Sequence, residues 1–114
     1  MKLFYSDHFE LPLPAGHRFP IEKYRRLRER LQASGEFAAD DFRVAPTASD
    51  AQLKLAHDAA YLARVVRGEL SAAEIKCLGL PWSAALVERS RRSTGATLAA
   101  CREALPANGC AINL

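Results

Sequence analysis

The residues best suited to chemistry in this chain are its three histidines, His8, His17 and His57. They are widely spaced, and no His-x-x-x-His or Asp-x-His pattern brings two ligands together, so we expect no metal site in this chain. The sequence also contains no Gly-x-Ser-x-Gly motif, no glycine-rich phosphate loop and no nucleophile beside a base. Local motifs therefore assign no catalytic residue.

The most suggestive cluster is formed by four consecutive residues: His17, Arg18, Phe19 and Pro20. It lies between a predicted first strand and a predicted first helix, and in a parallel sheet such loops lie at the edge where ligands bind. The structural alternative is that His17 braces the loop while Phe19 fills the core. His57 precedes Asp58 and is interpreted as a hydrogen-bonding partner at a helix junction.

The composition is that of one globular domain, spanning residues 1–114. Of the 114 residues, 49% are hydrophobic and 25% are charged, which argues against disorder. The net charge of +3 is mild. Part of the positive charge lies in a run from Lys23 to Arg30, interrupted by Glu29, which predicts a solvated helix face or, as an alternative, weak nucleic-acid binding.

The cysteines and the hydropathy pattern indicate a compartment. Cys77, Cys101 and Cys110 are odd in number and include no Cys-x-x-Cys pair, which favours a reducing environment. No stretch approaches the roughly 18 apolar residues of a membrane span. We therefore expect a cytoplasmic protein without a membrane partner.

The predicted elements alternate in the manner of an α/β protein. Strands are expected at residues 1–5, 42–45 and 109–114, with a first helix at 20–34. Ser49, Asp58 and Ser71 are predicted N-caps of short helices. A long helix is expected at 83–105, ended by Pro106 and Asn108-Gly109. The order β-α-β-α-α-α-β favours parallel strands.

One face of the long helix is expected to pack closely against its neighbours. The small residues that suggest this are Ser90, Ser93, Thr94, Gly95 and Thr97. A central glycine costs an exposed helix about 1 kcal/mol relative to alanine, so its presence favours a position where a backbone approaches.

Four segments together resemble the N-terminal part of the zinc-dependent histone deacetylases. They are Tyr5-Ser6-Asp7-His8, Gly16-His17-Arg18-Phe19-Pro20, His57-Asp58-Ala59-Ala60-Tyr61-Leu62, and Thr94-Gly95-Ala96-Thr97 continuing to Ala111-Ile112-Asn113-Leu114. This superfamily also contains acetoin-utilisation proteins and acetylpolyamine amidohydrolases. The resemblance covers essentially all 114 residues, and residues 80–114 are most similar to the class IV branch and its bacterial relatives.

The resemblance implies the N-terminal part of an arginase-like α/β fold, with three short parallel strands, the first of them central, and helices on both faces. In that family the strand at 111–114 leads into a tandem histidine pair that serves in acid–base catalysis, and the zinc ligands follow later. This chain ends before them. The implied function is therefore that of a scaffold segment, inactive alone, in a longer zinc-dependent hydrolase acting on acyl-lysine, an acylated polyamine or a small amine.

The resemblance also implies roles for two positions in an intact enzyme. His17, Arg18, Phe19 and Pro20 would form one wall of the substrate tunnel. Lys23 would lie where class I relatives have an arginine that lines an internal channel. Lysine keeps the charge but lacks the planar guanidinium, so a surface lysine is an equal alternative.

Two functions of other classes stay open. One is a non-catalytic module that recruits a strand to its exposed last strand, which predicts a homo-oligomer. The other is the weak nucleic-acid binder, whose affinity would fall steeply with salt.

Overall fold

The computed structural model describes residues 1–106 and 108–114, together with the helical backbone at 107. The chain is a mixed α/β protein with a three-stranded parallel sheet and flanking helices. The strands are β1 (Lys2–Tyr5), β2 (Phe42–Val44) and β3 (Ala111–Asn113). The helices are α1 (Glu22–Ser34), α2 (Asp50–Leu53), α3 (Ala59–Arg67), α4 (Ala72–Leu78) and α5 (Ala84–Ala107).

The sheet has the order β2-β1-β3, and both pairings are parallel. Leu3 in the central strand lies opposite Phe42 on one side and Ile112 on the other. The prediction of three parallel strands with the first one central is confirmed. A right-handed crossover through helices is the usual way to join parallel strands, and the long connections of this chain provide the length for it.

Local capping signals set the starts of the short helices. The side chains of Ser49, Asp58 and Ser71 each accept a hydrogen bond from the backbone N–H three residues later, at the starts of α2, α3 and α4. The three predicted N-caps are therefore confirmed. Such a bond satisfies one of the N–H groups that the first turn of a helix leaves without a partner.

Two helix ends differ from the prediction. Helix α1 begins at Glu22, two residues later than expected. Helix α5 continues through Pro106 to its last residue at 107, so the prediction that Pro106 ends it was wrong. Proline's fixed φ is compatible with a helical turn. The helix ends at Asn108, which belongs to the second predicted stop signal and whose φ of 45° is left-handed.

Helix α5 packs on the sheet, but not through the face that the sequence suggested. Gly95 is the one predicted position that is buried, and a Cβ there would lie 1.9 Å from the carbonyl oxygen of Pro46. The buried apolar positions that contact the sheet side are Ala96 and Ala100, which cluster with Phe4. The predicted serines and threonines are exposed because the helix is rotated to turn its alanines inward.

Helix α3 is attached where α5 begins. The indole Nε1 of Trp82 donates a hydrogen bond to the backbone oxygen of Val65 at 2.7 Å. Gly68, with a left-handed φ of 74°, lies so close that a Cβ there would be 2.9 Å from the indole ring. An apolar groove of about 190 Å³ lies beside this contact, lined by residues that include Leu62, Val65, Leu78, Trp82 and Leu86.

Within the part of the chain that the structure describes, no helix has both the length and the apolar character needed to cross a bilayer.

Candidate functional site

The loop that leaves the central strand carries most of the predicted site residues. We call residues 6–21, between β1 and α1, the first loop. Because the strands are parallel, the segments that follow β1 and β2 both begin at the carboxyl edge of the sheet. This edge is the usual location of ligand sites in open α/β sheets.

His17 braces the first loop. Its Nδ1 accepts a hydrogen bond from the backbone N–H of Phe19 at 3.1 Å, and its own backbone N–H donates to the oxygen of Pro14. A neutral imidazole that accepts at Nδ1 carries its proton on Nε2, so that nitrogen is a donor. His17 is half-buried, and its bracing bond agrees with the structural alternative stated above.

Phe19 and Lys23 meet beside Tyr24. The Phe19 and Tyr24 ring centroids are 6.3 Å apart, and the Lys23 Nζ lies 5.1 Å from the first and 5.0 Å from the second. These distances are typical of cation–π contacts. Lys23 is exposed, as are Arg18 and Pro20. The channel role of Lys23 stays a prediction.

An ion pair fixes the start of the first loop to α1. Two guanidinium nitrogens of Arg28 donate to the two carboxylate oxygens of Asp7 at 2.7 and 2.8 Å, and the Asp7 side chain is only 4% exposed. Burial raises the pKa of the Asp7 carboxyl, but the hydrogen bond and charge of Arg28 outweigh burial and hold that pKa below its ordinary value of 3.8. The Arg28 guanidinium also lies 5.0 Å from the Tyr5 ring centroid.

The three histidines are not brought into one site. The His8 ring packs against the rings of Tyr5 and Phe9, at centroid distances of 5.4 and 4.2 Å. His57 is exposed, with its ring 6.1 Å from that of Tyr61. Among the described residues no group of three or more histidine, cysteine, aspartate or glutamate side chains could hold a metal ion. These residues therefore do not fit a zinc site.

Sequence reasoning missed the arginines of α5, which hold the loops at the carboxyl edge. Arg89 donates to the backbone oxygens of Ser6 and Phe9 at 2.9 and 3.3 Å. Arg92 donates to the oxygen of Ala45 at 2.9 Å. Arg91 donates to Ala48 and pairs with Asp50. The one signal in the sequence is that Arg89 and Arg92 continue the three- and four-residue spacing of buried positions on this helix.

The basic run of α1 is largely neutralised by neighbouring acids. Arg26 pairs with Glu22, and Arg25 pairs with Glu29, both one helical turn away. Arg28 is held by Asp7. Within the described residues only Lys23 and Arg30 of this run make no ion pair. The run therefore presents little uncompensated charge to a polyanion.

The fold and the loop thus define an α/β protein with a braced loop at the carboxyl edge of a three-stranded parallel sheet. No protein-family model matches the chain. It is 31% identical, over 101 residues, to an uncharacterised protein of Picosynechococcus. The alignment covers 89% of this chain and 34% of that protein, so the chain spans about a third of the length of this curated relative.

Proposed function

We propose that the chain is the N-terminal scaffold segment of a zinc-dependent deacetylase of the histone deacetylase superfamily, with an arginase-like fold. The observation that carries the proposal is the first loop: two of the four segments on which the resemblance rests lie at the end of the central strand of a parallel sheet and in the loop that follows it, namely residues 5–8 and 16–20. The intact enzyme would hydrolyse an acyl-amide on lysine, a polyamine or a related small amine.

In this proposal the chain helps to position the substrate and contributes no catalytic group. The first loop forms one wall of the substrate tunnel, with Phe19 packed against Tyr24 and the loop backbone braced by His17. Zinc would polarise the carbonyl when bound to ligands in the remainder of the longer protein. Since the described residues offer no such ligands, we expect the chain alone to release no acetate.

The Picosynechococcus protein can be used to test the proposal, because it is about three times as long as the segment that matches this chain. We expect the intact relative to release acetate, in a zinc-dependent manner, from an acetyl-lysine peptide or an acetylated polyamine. Replacing its matching segment with this chain should preserve that activity, and deleting the segment should abolish it. An intact relative inactive on both substrates, or a deletion that remains active, would contradict the proposal.

The same chimera tests the candidate residues. If the first loop lines the tunnel, Phe19→Ala raises KM about tenfold with a smaller change in kcat, because an apolar contact with substrate is lost. If Lys23 lines a channel for the released acid, Lys23→Met lowers kcat. An unchanged kcat would make Lys23 a surface residue. Lys76→Met, at an exposed position on α4, is the matched control.

The second candidate function is self-association through β3. Among the described residues this strand pairs only with β1, which leaves its other edge open, and Ile112 beside that edge is 37% exposed. An open strand edge recruits further strands. Light scattering after size exclusion should then report a dimer that Ile112→Lys converts to a monomer. A monomer at all concentrations would remove this candidate.

A further inference from the structure

Arg89 is a buried cation without an acidic partner. Its residue is 8% exposed, and no carboxylate among the described residues forms an ion pair with it. Burying a guanidinium is unfavourable unless its donors are satisfied. One of its nitrogens binds two backbone oxygens, those of Ser6 and Phe9, while the guanidinium carbon lies 4.6 Å from the Tyr24 ring centroid.

These contacts join the two ends of the first loop. Ser6 and Phe9 lie where the loop leaves β1, whereas Tyr24 lies in the first turn of α1, just after the loop ends. The Tyr24 ring in turn packs against Phe19, whose backbone N–H is bound by His17. One side chain from α5 therefore contacts the loop entry directly and the loop exit through a ring.

We infer that Arg89 is the positioning residue of the first loop, holding its entry by hydrogen bonds and its exit by stacking on Tyr24. The inference does not depend on deacetylase activity, since it concerns the conformation of a loop in the chain itself. It separates Arg89 from the other arginines of α5, because the backbone oxygens bound by Arg91 and Arg92 lie in the segment that follows β2. Arg92 also lies over the Phe9 ring, 4.4 Å from its centroid, but neither Arg91 nor Arg92 contacts Tyr24 at the loop exit among the described contacts.

Hydrogen exchange resolved by residue tests this role. The reporters inside the loop are the hydrogen-bonded amides of Phe9, His17, Phe19 and Ile21. The reference amides are those of Ala48, which donates to the backbone oxygen of Arg91, and Leu114, which donates to the backbone oxygen of Phe4. Arg89→Gln should speed exchange of the loop amides about tenfold and leave the reference amides within about twofold, because one charge-assisted contact is lost locally.

Two further substitutions separate the entry from the exit. Arg89→Lys can still donate to a carbonyl but lacks the planar group, so Phe9 should stay protected while Phe19 and Ile21 exchange faster. Tyr24→Leu should release Phe19 and Ile21, and Tyr24→Phe, which keeps the ring, should release neither. Arg102→Gln, at an exposed position on the same helix, is the control and should change no amide.

The outcomes decide the inference even if Arg89→Gln does not fold. Faster exchange at loop and reference amides alike in Arg89→Lys would make Arg89 a general stabiliser of the fold. Unchanged loop amides in both Arg89→Lys and Tyr24→Leu would remove the positioning role. Selective release of the loop exit in these two variants would support it.

Discussion

Helices α1 and α5 lie on opposite faces of the same sheet and are attached to it in different ways. Side chains alternate along a strand, so Phe4 points to α5 while Tyr5 points to the other face, where Arg28 of α1 lies. Helix α5 buries Gly95, Ala96 and Ala100 by fitting closely. Helix α1, all of which is described, has no buried residue. Close packing of small residues attaches α5 to the sheet, whereas the contacts of a charged side chain, Arg28, attach α1.

The largest expected effect tests the close fit of α5. In Gly95→Ala the new Cβ would lie 1.9 Å from the Pro46 oxygen and 2.9 Å from the Ala48 nitrogen, both backbone atoms. We expect the free energy of unfolding to fall by about 3 kcal/mol, although alanine favours a helix. Urea unfolding followed by circular dichroism measures it.

Gly35→Ala is the control for this substitution. Its Cβ would meet nothing within 4 Å, but its φ of 72° disfavours a side chain, so a loss of about 1 kcal/mol is expected. If Gly95→Ala were stabilising, the close contact with Pro46 would not constrain α5.

The next effect tests the charged attachment of α1. Asp7→Asn leaves Arg28 partly buried without its carboxylate and should destabilise the protein by about 2 kcal/mol at pH 7. The folded pKa of Asp7 lies below the ordinary 3.8, so this stabilisation is complete above that pH. It is lost as the pH falls through the lower folded pKa, because the unfolded carboxyl is then protonated first.

Urea unfolding of both proteins between pH 2.5 and 7 checks the sign. The difference between the wild type and Asp7→Asn should be constant above about pH 5 and shrink below pH 3.8. Asp40→Asn, at an exposed position, should give no such change. If the stability difference between the wild type and Asp7→Asn grew as the pH fell, the ionised Asp7 carboxylate would not be the stabilising form.

A smaller effect tests whether geometry matters as well as charge. Arg28→Lys keeps one positive charge but loses the two parallel bonds to Asp7 and the stacking on Tyr5. We expect a loss of about 1 kcal/mol. A double-mutant cycle with Asp7→Asn should show that most of this loss disappears when the carboxylate is absent. If the losses of the two single variants simply added, the effect of Arg28→Lys would not arise from its contact with Asp7.

The smallest effect concerns the outer surface of α1. Glu22 and Arg26 form a 2.6 Å pair, but both side chains are more than half exposed. Solvent screens such pairs, so Glu22→Gln should change the free energy of unfolding by less than about 0.5 kcal/mol. A larger loss would mean that α1 is held by its surface charges rather than by the Asp7 contact.

Local signals explain which parts of the fold could be predicted. Ser49, Asp58 and Ser71 act on backbone atoms three residues away, so each N-cap is encoded within one turn. The parallel strands follow from the alternation of strand and helix patterns. Helix α5 was misjudged because residue size does not decide which face is buried: the long stem of Arg89 lies inside while Ser93 is exposed.

The candidate site was harder to predict because its contacts join distant positions. Arg89 and Ser6 are 83 residues apart, and no local sequence pattern around either residue indicates that the two are in contact. The bracing bond of His17 spans two residues and was among the alternatives considered. The Asp7–Arg28 pair spans 21 residues and was not. The contacts that could be predicted are therefore those between residues close together in the chain, and the chemical type of the side chains did not decide it.

Trp82 gives the chain a built-in optical reporter. It is the one tryptophan in the sequence, and its indole donates a hydrogen bond to Val65 and lies against Gly68. Its fluorescence therefore follows the undocking of α3 from α5, while circular dichroism follows the whole backbone. A denaturant midpoint that differs between the two signals would reveal that the helical side melts separately from the sheet.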